Sequence, residues 1–286
     1  MTAGRPPPRR TRGRRLFPVI GLILLDLDGT LVGAGNRVHP QSWTAIKRAQ
    51  ALGIRVAICT GRPSDGFATD YAERIDPRGA HVFENGALIA RPDGEMLSAR
   101  PLSHASFLNQ VTLSRLVEQP LEAYTGTTCY VERPTDYTRA HAKIIDITVA
   151  ERDLFLVDEP IVRVQWIAEW TAWATLKDRV GADPAVDVVV ASQPDIPETC
   201  FSSVTAKGVS KAAAARWLAA HYGLTIESVA MVGDGDNDLE AIQTVGLGIA
   251  MGNGTHAVRA AANAVVRSVD DGGLADAIDL AIAADT

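Results

Sequence analysis

Asp26 and Asp28 stand one residue apart at the end of an apolar run from Val19 to Leu25, and Gly29 and Thr30 follow. A continuous apolar run reads as a buried strand of a parallel sheet. Ligands of open α/β sheets bind beyond the carboxyl ends of such strands. Two carboxylates placed there can hold a divalent cation and still leave one oxygen to attack an electrophile. Alone, the segment fits equally well a strand that ends in an ordinary Asp-Gly turn.

Three further segments sit where a strand hands over to a loop. Thr60-Gly61-Arg62 combines a hydroxyl, a glycine whose amide allows close approach, and a guanidinium, a set suited to phosphate. Lys207-Gly208-Val209-Ser210-Lys211 opens an Ala-rich helix. A lysine at a helix N-terminus opposes the macrodipole unless an anion occupies that end. Gly233-Asp234-Gly235-Asp236-Asn237-Asp238 is a second acidic cluster. It is no calcium loop of the EF-hand type, because Leu239 stands at the sixth position and Val245 at the twelfth. The glycines from Gly246 to Gly254 lack dinucleotide-binding spacing, the six histidines form no ligand-spaced pair, and no nucleophile elbow or Walker loop is present. Singly, each segment also reads as an ordinary loop or a solvated helix start.

The elements that must position these groups follow a βαβ rhythm. Strands are expected at Val19–Leu25, Ile54–Cys59 and residues 81–84, with helices at Gln41–Leu52 and Asp65–Ile75. The rhythm returns after about Pro197, with a helix from Gly208 to His221, a strand at Val229–Val232 and further alternation to Ala283. Strands alternating with helices imply a doubly wound parallel sheet. Between them, helical stretches near Ser103–Glu118 and Glu169–Val180 mix with four strand-like runs, which suggests an α+β insert. The expected division is a core of residues 16–91 and 197–286 interrupted by a cap over 92–196. Trp166, Trp170 and Trp173 have the helical spacing of insert core packing.

The 286 residues carry a net charge of −6. Six of the 28 basic residues fall within residues 1–15, which hold no acid, so the body is more acidic still. That balance argues against a general nucleic-acid binder. The Pro- and Arg-rich residues 1–15 read as a disordered tail. Arg14-Arg15 and the apolar run beyond them resemble a secretory signal, but no small-residue cleavage site follows and cleavage would remove the strand carrying Asp26. No apolar run is long enough to span a bilayer. Three widely spaced cysteines support neither a zinc knuckle nor a disulfide framework, so a cytoplasmic setting is the expectation.

Taken in order at strand ends, Asp-x-Asp-Gly-Thr, Thr-Gly-Arg, Gly-Val-Ser-Lys and Gly-Asp-x-x-Asn-Asp resemble the haloacid-dehalogenase-like (HAD) superfamily. The position and size of the insert look like its Cof-type, class IIB phosphatases. Glu84-Asn85-Gly86-Ala87, Gly248 to Asn253 and Asp270-Asp271-Gly272-Gly273 extend the match. The resemblance implies an α/β Rossmann-like core with an inserted α+β cap, and an Mg2+-dependent phosphatase for a small phosphorylated metabolite, a sugar or polyol phosphate foremost. It implies Asp26 as nucleophile and Asp28 as general acid and base. Mg2+ would be held by the Asp26 carboxylate, the Asp28 carbonyl and Asp234, with Asp238 in support. The phosphoryl oxygens would meet the Leu27 and Gly61 amides, Thr60, Lys211 and Asn237, with Arg62 a weaker substrate contact. Lys207 is a second candidate for the lysine, since Ala212 replaces the usual glycine after Lys211. A phosphomutase of the same superfamily, or a non-catalytic binding protein on this scaffold, is the alternative.

Overall fold

The apolar run before Asp26 forms β1 (Leu22–Leu25), all four residues of which are buried. A strand alternates its side chains between the two faces of a sheet. Ile23 and Leu25 accordingly join one apolar cluster, and Leu22 and Leu24 join another. The computed structural model describes residues 19–193 and 196–284, and the Arg-rich segment read over residues 1–15 lies outside them.

The chain continues through α1 (Pro40–Ala51), β2 (Arg55–Ile58), α2 (Gly66–Ile75) and β3 (His81–Phe83). Pro40 opens α1 at the one place where a missing N–H costs nothing. β3 reaches β2 through a parallel bridge between Val82 and Cys59. It then turns into an antiparallel sheet with β4 (Leu88–Ala90) and β5 (Met96–Ala99).

The next elements are α3 (His104–Val117), β6 (Leu121–Tyr124), β7 (Cys129–Val131), α4 (Asp136–Ile145), β8 (Val149–Glu151), β9 (Arg163–Glu169), α5 (Trp170–Val180), β10 (Val186–Gln193) and β11 (Ile196–Ala206). Their six strands form a separate sheet in the order β10-β11-β9-β6-β7-β8. Phe107, Trp166, Trp173 and Leu176 pack together on one of its faces. Trp166, on β9, and Trp173, on α5, are core residues, whereas Trp170 is 42% exposed, so the three do not form one helical stripe.

The chain closes with α6 (Lys211–His221), β12 (Val229–Gly233), α7 (Leu239–Thr244), β13 (Leu247–Ala250), α8 (His256–Ala261), β14 (Ala264–Val265) and α9 (Gly273–Ala283). Segments distant in sequence meet in one parallel sheet, ordered β14-β13-β12-β1-β2. β1 lies between β2 and β12, so Asp26 and Gly233 emerge side by side.

Strands pair across both edges expected for the insert. β5 lies beyond residue 92 yet pairs with β4 beside the parallel sheet. β11 begins at Ile196 but pairs with β9 and β10, which keeps the chain in the six-stranded sheet to Ala206. Its residues Thr199, Ser202, Ser203 and Thr205 are polar and buried, so the strand lacks the apolar run that would have marked it.

Candidate active site

The chain turns sharply after β1. The Leu27 carbonyl accepts the N–H groups of Thr30, Leu31 and Val32, and Gly29 adopts φ 79°. A Cβ on Gly29 would lie 2.1 Å from Asp234 Oδ2, so this position needs both glycine's left-handed freedom and its lack of a side chain. The turn brings the loop after β1 against the loop after β12.

Asp26, Asp234 and Asp238 each offer a carboxylate oxygen within 4.8 Å of the others. Lys211 Nζ donates to Asp26 Oδ1 and to Asp238 Oδ1, both at 2.6 Å. Lys211 and Asp238 are buried, and Asp26 is only 6% exposed. Ser210 caps α6 by accepting the Ala213 N–H at 3.1 Å, which fixes where Lys211 enters. Lys207 lies elsewhere: it is exposed and pairs with Asp187. The lysine at the acids is therefore Lys211.

Asp238 also shapes the loop, its Oδ2 accepting the N–H groups of Asp234 and Gly235 at 3.0 Å each. Asp234 accepts from Thr30 Oγ1 at 3.1 Å and from Asn253 Nδ2 at 3.3 Å. Asn253 Nδ2 further donates to the Gly29 carbonyl, and its Oδ1 accepts the Val269 N–H. Thr30 and Asn253 are thus supports of the acid cluster to which sequence reasoning attached no role.

Burial pushes the Asp26 carboxyl well above the usual carboxylate range, against the pull of Lys211 and with the help of Asp238 and Asp234. Asp234 is raised to about 6 by burial and by the Asp238 charge. Burial pulls Lys211 down, but Asp238 and Asp26 outweigh it and hold the ammonium charged. Three carboxylates facing one ammonium leave uncompensated negative charge in a site made of hard oxygen donors. That donor set fits Mg2+.

Asp28 does not join this cluster through its carboxylate. Its side chain is 55% exposed, and Arg62 forks both of its oxygens. Thr60 is buried, and its hydroxyl accepts the Arg62 N–H at 3.1 Å. Asn237 Nδ2 donates to Asn85 Oδ1 at 3.0 Å. Gly61 lies against the same amide, for a Cβ there would stand 2.9 Å from Asn85 Oδ1. Lys211 touches the acids directly, Leu27 follows Asp26 and Asn237 precedes Asp238 in the chain, and Thr60 and Gly61 lie beyond the end of β2, the strand beside β1.

A parallel sheet with carboxylates at adjoining strand ends, a buried lysine and a large inserted sheet define a HAD-type hydrolase. The chain belongs to the haloacid dehalogenase-like hydrolase family, whose sequence profile matches residues 23–278. It is a Cof-type phosphatase of that family, a phosphoric monoester hydrolase. The phosphoglycolate phosphatase of Pyrobaculum neutrophilum is 31% identical over 261 residues, covering 91% of this chain and 94% of that protein. Phosphatase YwpJ of Bacillus subtilis is 25% identical over 288 residues, covering 89% of this chain and 97% of that protein. The chain also matches the chloroplastic endoribonuclease YBEY of Arabidopsis thaliana at 28% identity over 295 residues. There it covers 93% of this chain but spans only about half, 47%, of the relative. Among solved structures, a haloacid dehalogenase-like hydrolase from Bacteroides thetaiotaomicron superposes with a TM-score of 0.78 at 26% identity, covering 91% of this chain and 99% of that one. The subclass IIB sugar phosphatase BT4131 shares the fold at a TM-score of 0.77 and 21% identity, covering 91% of this chain and 98% of that one. No helix among the described residues is long and apolar enough to cross a membrane.

Proposed function

We propose that the protein is an Mg2+-dependent phosphatase of a small phosphorylated metabolite, a sugar or polyol phosphate, acting through an aspartyl-phosphate on Asp26. The observation that carries the reading is the buried contact of Lys211 with Asp26 and Asp238, with Asp234 beside them. In this reading Asp26, the Asp28 carbonyl and Asp234 hold Mg2+, supported by Asp238. When bound, the ion supplies the positive charge that lets a carboxylate approach an anionic phosphoryl group.

The chain's own groups do the remainder. Lys211 offsets part of the cost of ionising buried Asp26 and faces the phosphoryl oxygens. Thr60, Asn237 and the amides of Leu27 and Gly61 bind the equatorial oxygens, where charge builds in the transition state. An Asp26 oxygen attacks phosphorus as the bond to the leaving oxygen breaks, and Asp28 donates a proton to that oxygen. Asp28 then takes a proton from water as the water attacks phosphorus and releases Asp26.

The six-stranded sheet and its helices act as the cap that excludes water and meets the leaving group. We place this cap between about residues 101 and 206, inside a core formed by the remainder from residue 19.

Phosphate release from a panel of sugar, polyol, nucleotide and cofactor phosphates tests the reading. Release that needs Mg2+ and disappears with EDTA and in Asp26→Asn is the expected result. An isomerised phosphate ester without free phosphate would point to a mutase. Intact, Mg2+-loaded protein with neither product would leave a binding protein.

A further inference from the structure

Away from the acids, one buried ion pair joins the six-stranded sheet to the end of β3 in the three-stranded sheet. Arg163 at the start of β9 is 4% exposed and pairs through Nε with Glu84, which follows β3 and is fully buried. The remaining contacts of Arg163 stay within the six-stranded sheet. Its Nη1 donates to Gln165 Oε1 at 2.6 Å and to Ser203 Oγ at 3.2 Å, and the guanidinium lies 4.1 Å from the Tyr124 ring centre. Neither Glu84 oxygen has a partner with hydrogen-bond geometry, and Arg163 Nε and Nη2 have none either. Glu84 thus depends on Arg163 for its counter-charge, whereas Arg163 is also held by Gln165, Ser203 and Tyr124. A buried charge left without its partner is costly.

Glu84 occupies an unusual piece of backbone. Glu84, Asn85 and Gly86 have φ of 53°, 55° and 102°, three left-handed values in succession. Glutamate rarely adopts such a value, whereas asparagine tolerates it. Gly86 closes against α6, since a Cβ there would stand 2.4 Å from the Ser210 carbonyl oxygen, one residue before Lys211. The Glu84 N–H donates to the Arg62 carbonyl and the Asn85 N–H to the Thr60 carbonyl, each at 3.0 Å. The Asn85 side chain accepts from Asn237. The strained segment therefore touches Thr60, Arg62, Asn237 and the N-terminus of α6, and Arg163 reaches it from the opposite sheet.

We propose that Arg163 is a positioning residue, which by pairing with Glu84 holds the left-handed step that sets Asn85, and through it Asn237 and Thr60, around the phosphoryl group. The inference rests on the phosphatase reading for what that ring binds. It makes the phosphoryl ring complete only with the lobes closed, so that bond cleavage awaits exclusion of water. Glu84 and Arg163 touch no reacting atom in this account.

The test compares wild type, Arg163→Met, Arg163→Lys, Asn85→Ala and Asn85→Ala/Arg163→Met, with p-nitrophenyl phosphate and Mg2+ at pH 8. The aromatic leaving group offers no hydroxyls for a sugar-selecting pocket, so loss on this substrate reports on the phosphoryl ring. Arg163→Met is expected to lower kcat by ~10- to 100-fold, the scale of a misplacement of about 1 Å. Arg163→Lys should recover part of that loss. In the Asn85→Ala background, Arg163→Met should cost no further activity. Hydrogen exchange gives a second readout, independent of turnover. Amides 84–86 should exchange faster in Arg163→Met while helix Gly273–Ala283 is unchanged.

Wild-type rates and unchanged exchange in Arg163→Met would overturn the proposal, as would exchange raised equally throughout the fold. A loss that adds fully to that of Asn85→Ala would overturn it too. If wild type releases no phosphate from this or any other ester, the phosphatase reading falls, and local exchange at 84–86 still decides whether the pair holds the segment.

Discussion

Arg62 grips both oxygens of Asp28, Nε to Oδ2 at 2.8 Å and Nη2 to Oδ1 at 2.7 Å. The fork aims the carboxylate proposed to move the proton. A lysine cannot reproduce a planar two-point contact. Asp28→Asn should therefore lower kcat by roughly 10²- to 10⁴-fold, the usual contribution of a general acid–base group. Arg62→Lys should lower it less. In the Asp28→Asn background, Arg62→Lys should change little, because the two residues act as one unit. A double-mutant cycle on kcat checks this, and fully additive losses would separate the two roles.

Lys211 is buried between two acids, so its removal has a consequence for stability as well as activity. Lys211→Met leaves Asp26 and Asp238 facing each other without a cation. Breaking a buried pair by deleting one partner costs about 3–5 kcal/mol. Urea unfolding without added metal should show a loss on that scale, and phosphate release should vanish. Lys207→Met, at the exposed pair with Asp187, should lose less than about 1 kcal/mol and keep activity.

Why was so much of this site legible? Buried parallel strands must be apolar, and ligands gather at their carboxyl ends, so Asp26, Thr60 and Asp234 stand out wherever such a run stops. The supports were less visible for a physical reason. Asn253 holds Asp234 and the Gly29 carbonyl across separations of 19 and 224 residues, which no local pattern encodes. Glu84 and Arg163 meet only because two sheets close on each other. β11 escaped notice because a strand with buried polar residues reads like a loop, and α4, as long as α2, escaped as well. Its N-cap, Thr135 accepting the Thr138 N–H, was there to be read. The choice between Lys207 and Lys211 turned on burial, which spacing alone does not reveal.

Gly29 allows a sharp test of how tightly the two acidic loops are packed. Gly29→Ala would force a left-handed alanine and drive its Cβ into the Asp234 carboxylate. A cost of about 1–3 kcal/mol is expected from the backbone alone. The larger effect should fall on the ion: with Asp234 displaced, Mg2+ affinity measured by calorimetry should drop at least ~10-fold. Gly53, also left-handed but with no atom within 4 Å of a Cβ, is the control. Gly53→Ala should be mildly destabilising and leave Mg2+ binding intact.

Glu84 gives the fold a pH dependence whose sign follows from its burial. Desolvation raises the carboxyl from 4.5 to about 7, against the favourable charge of Arg163 and with a further push from Glu122. Between those values the folded state holds a proton that the unfolded chain has released. Stability therefore falls as pH rises from about 4.5 to about 7 and levels off above that. A shift of this size corresponds to about 3 kcal/mol. Glu84→Gln removes the group, so its stability curve should lack this decline, although the neutral amide deprives Arg163 of its paired carboxylate at every pH. Measured by chemical denaturation from pH 4 to pH 9, the difference in stability between variant and wild type should drift toward the variant as pH rises to 7. A difference that stays flat with pH would mean that Glu84 titrates alike in both states, and that Arg163 offsets the whole cost of burying its charge.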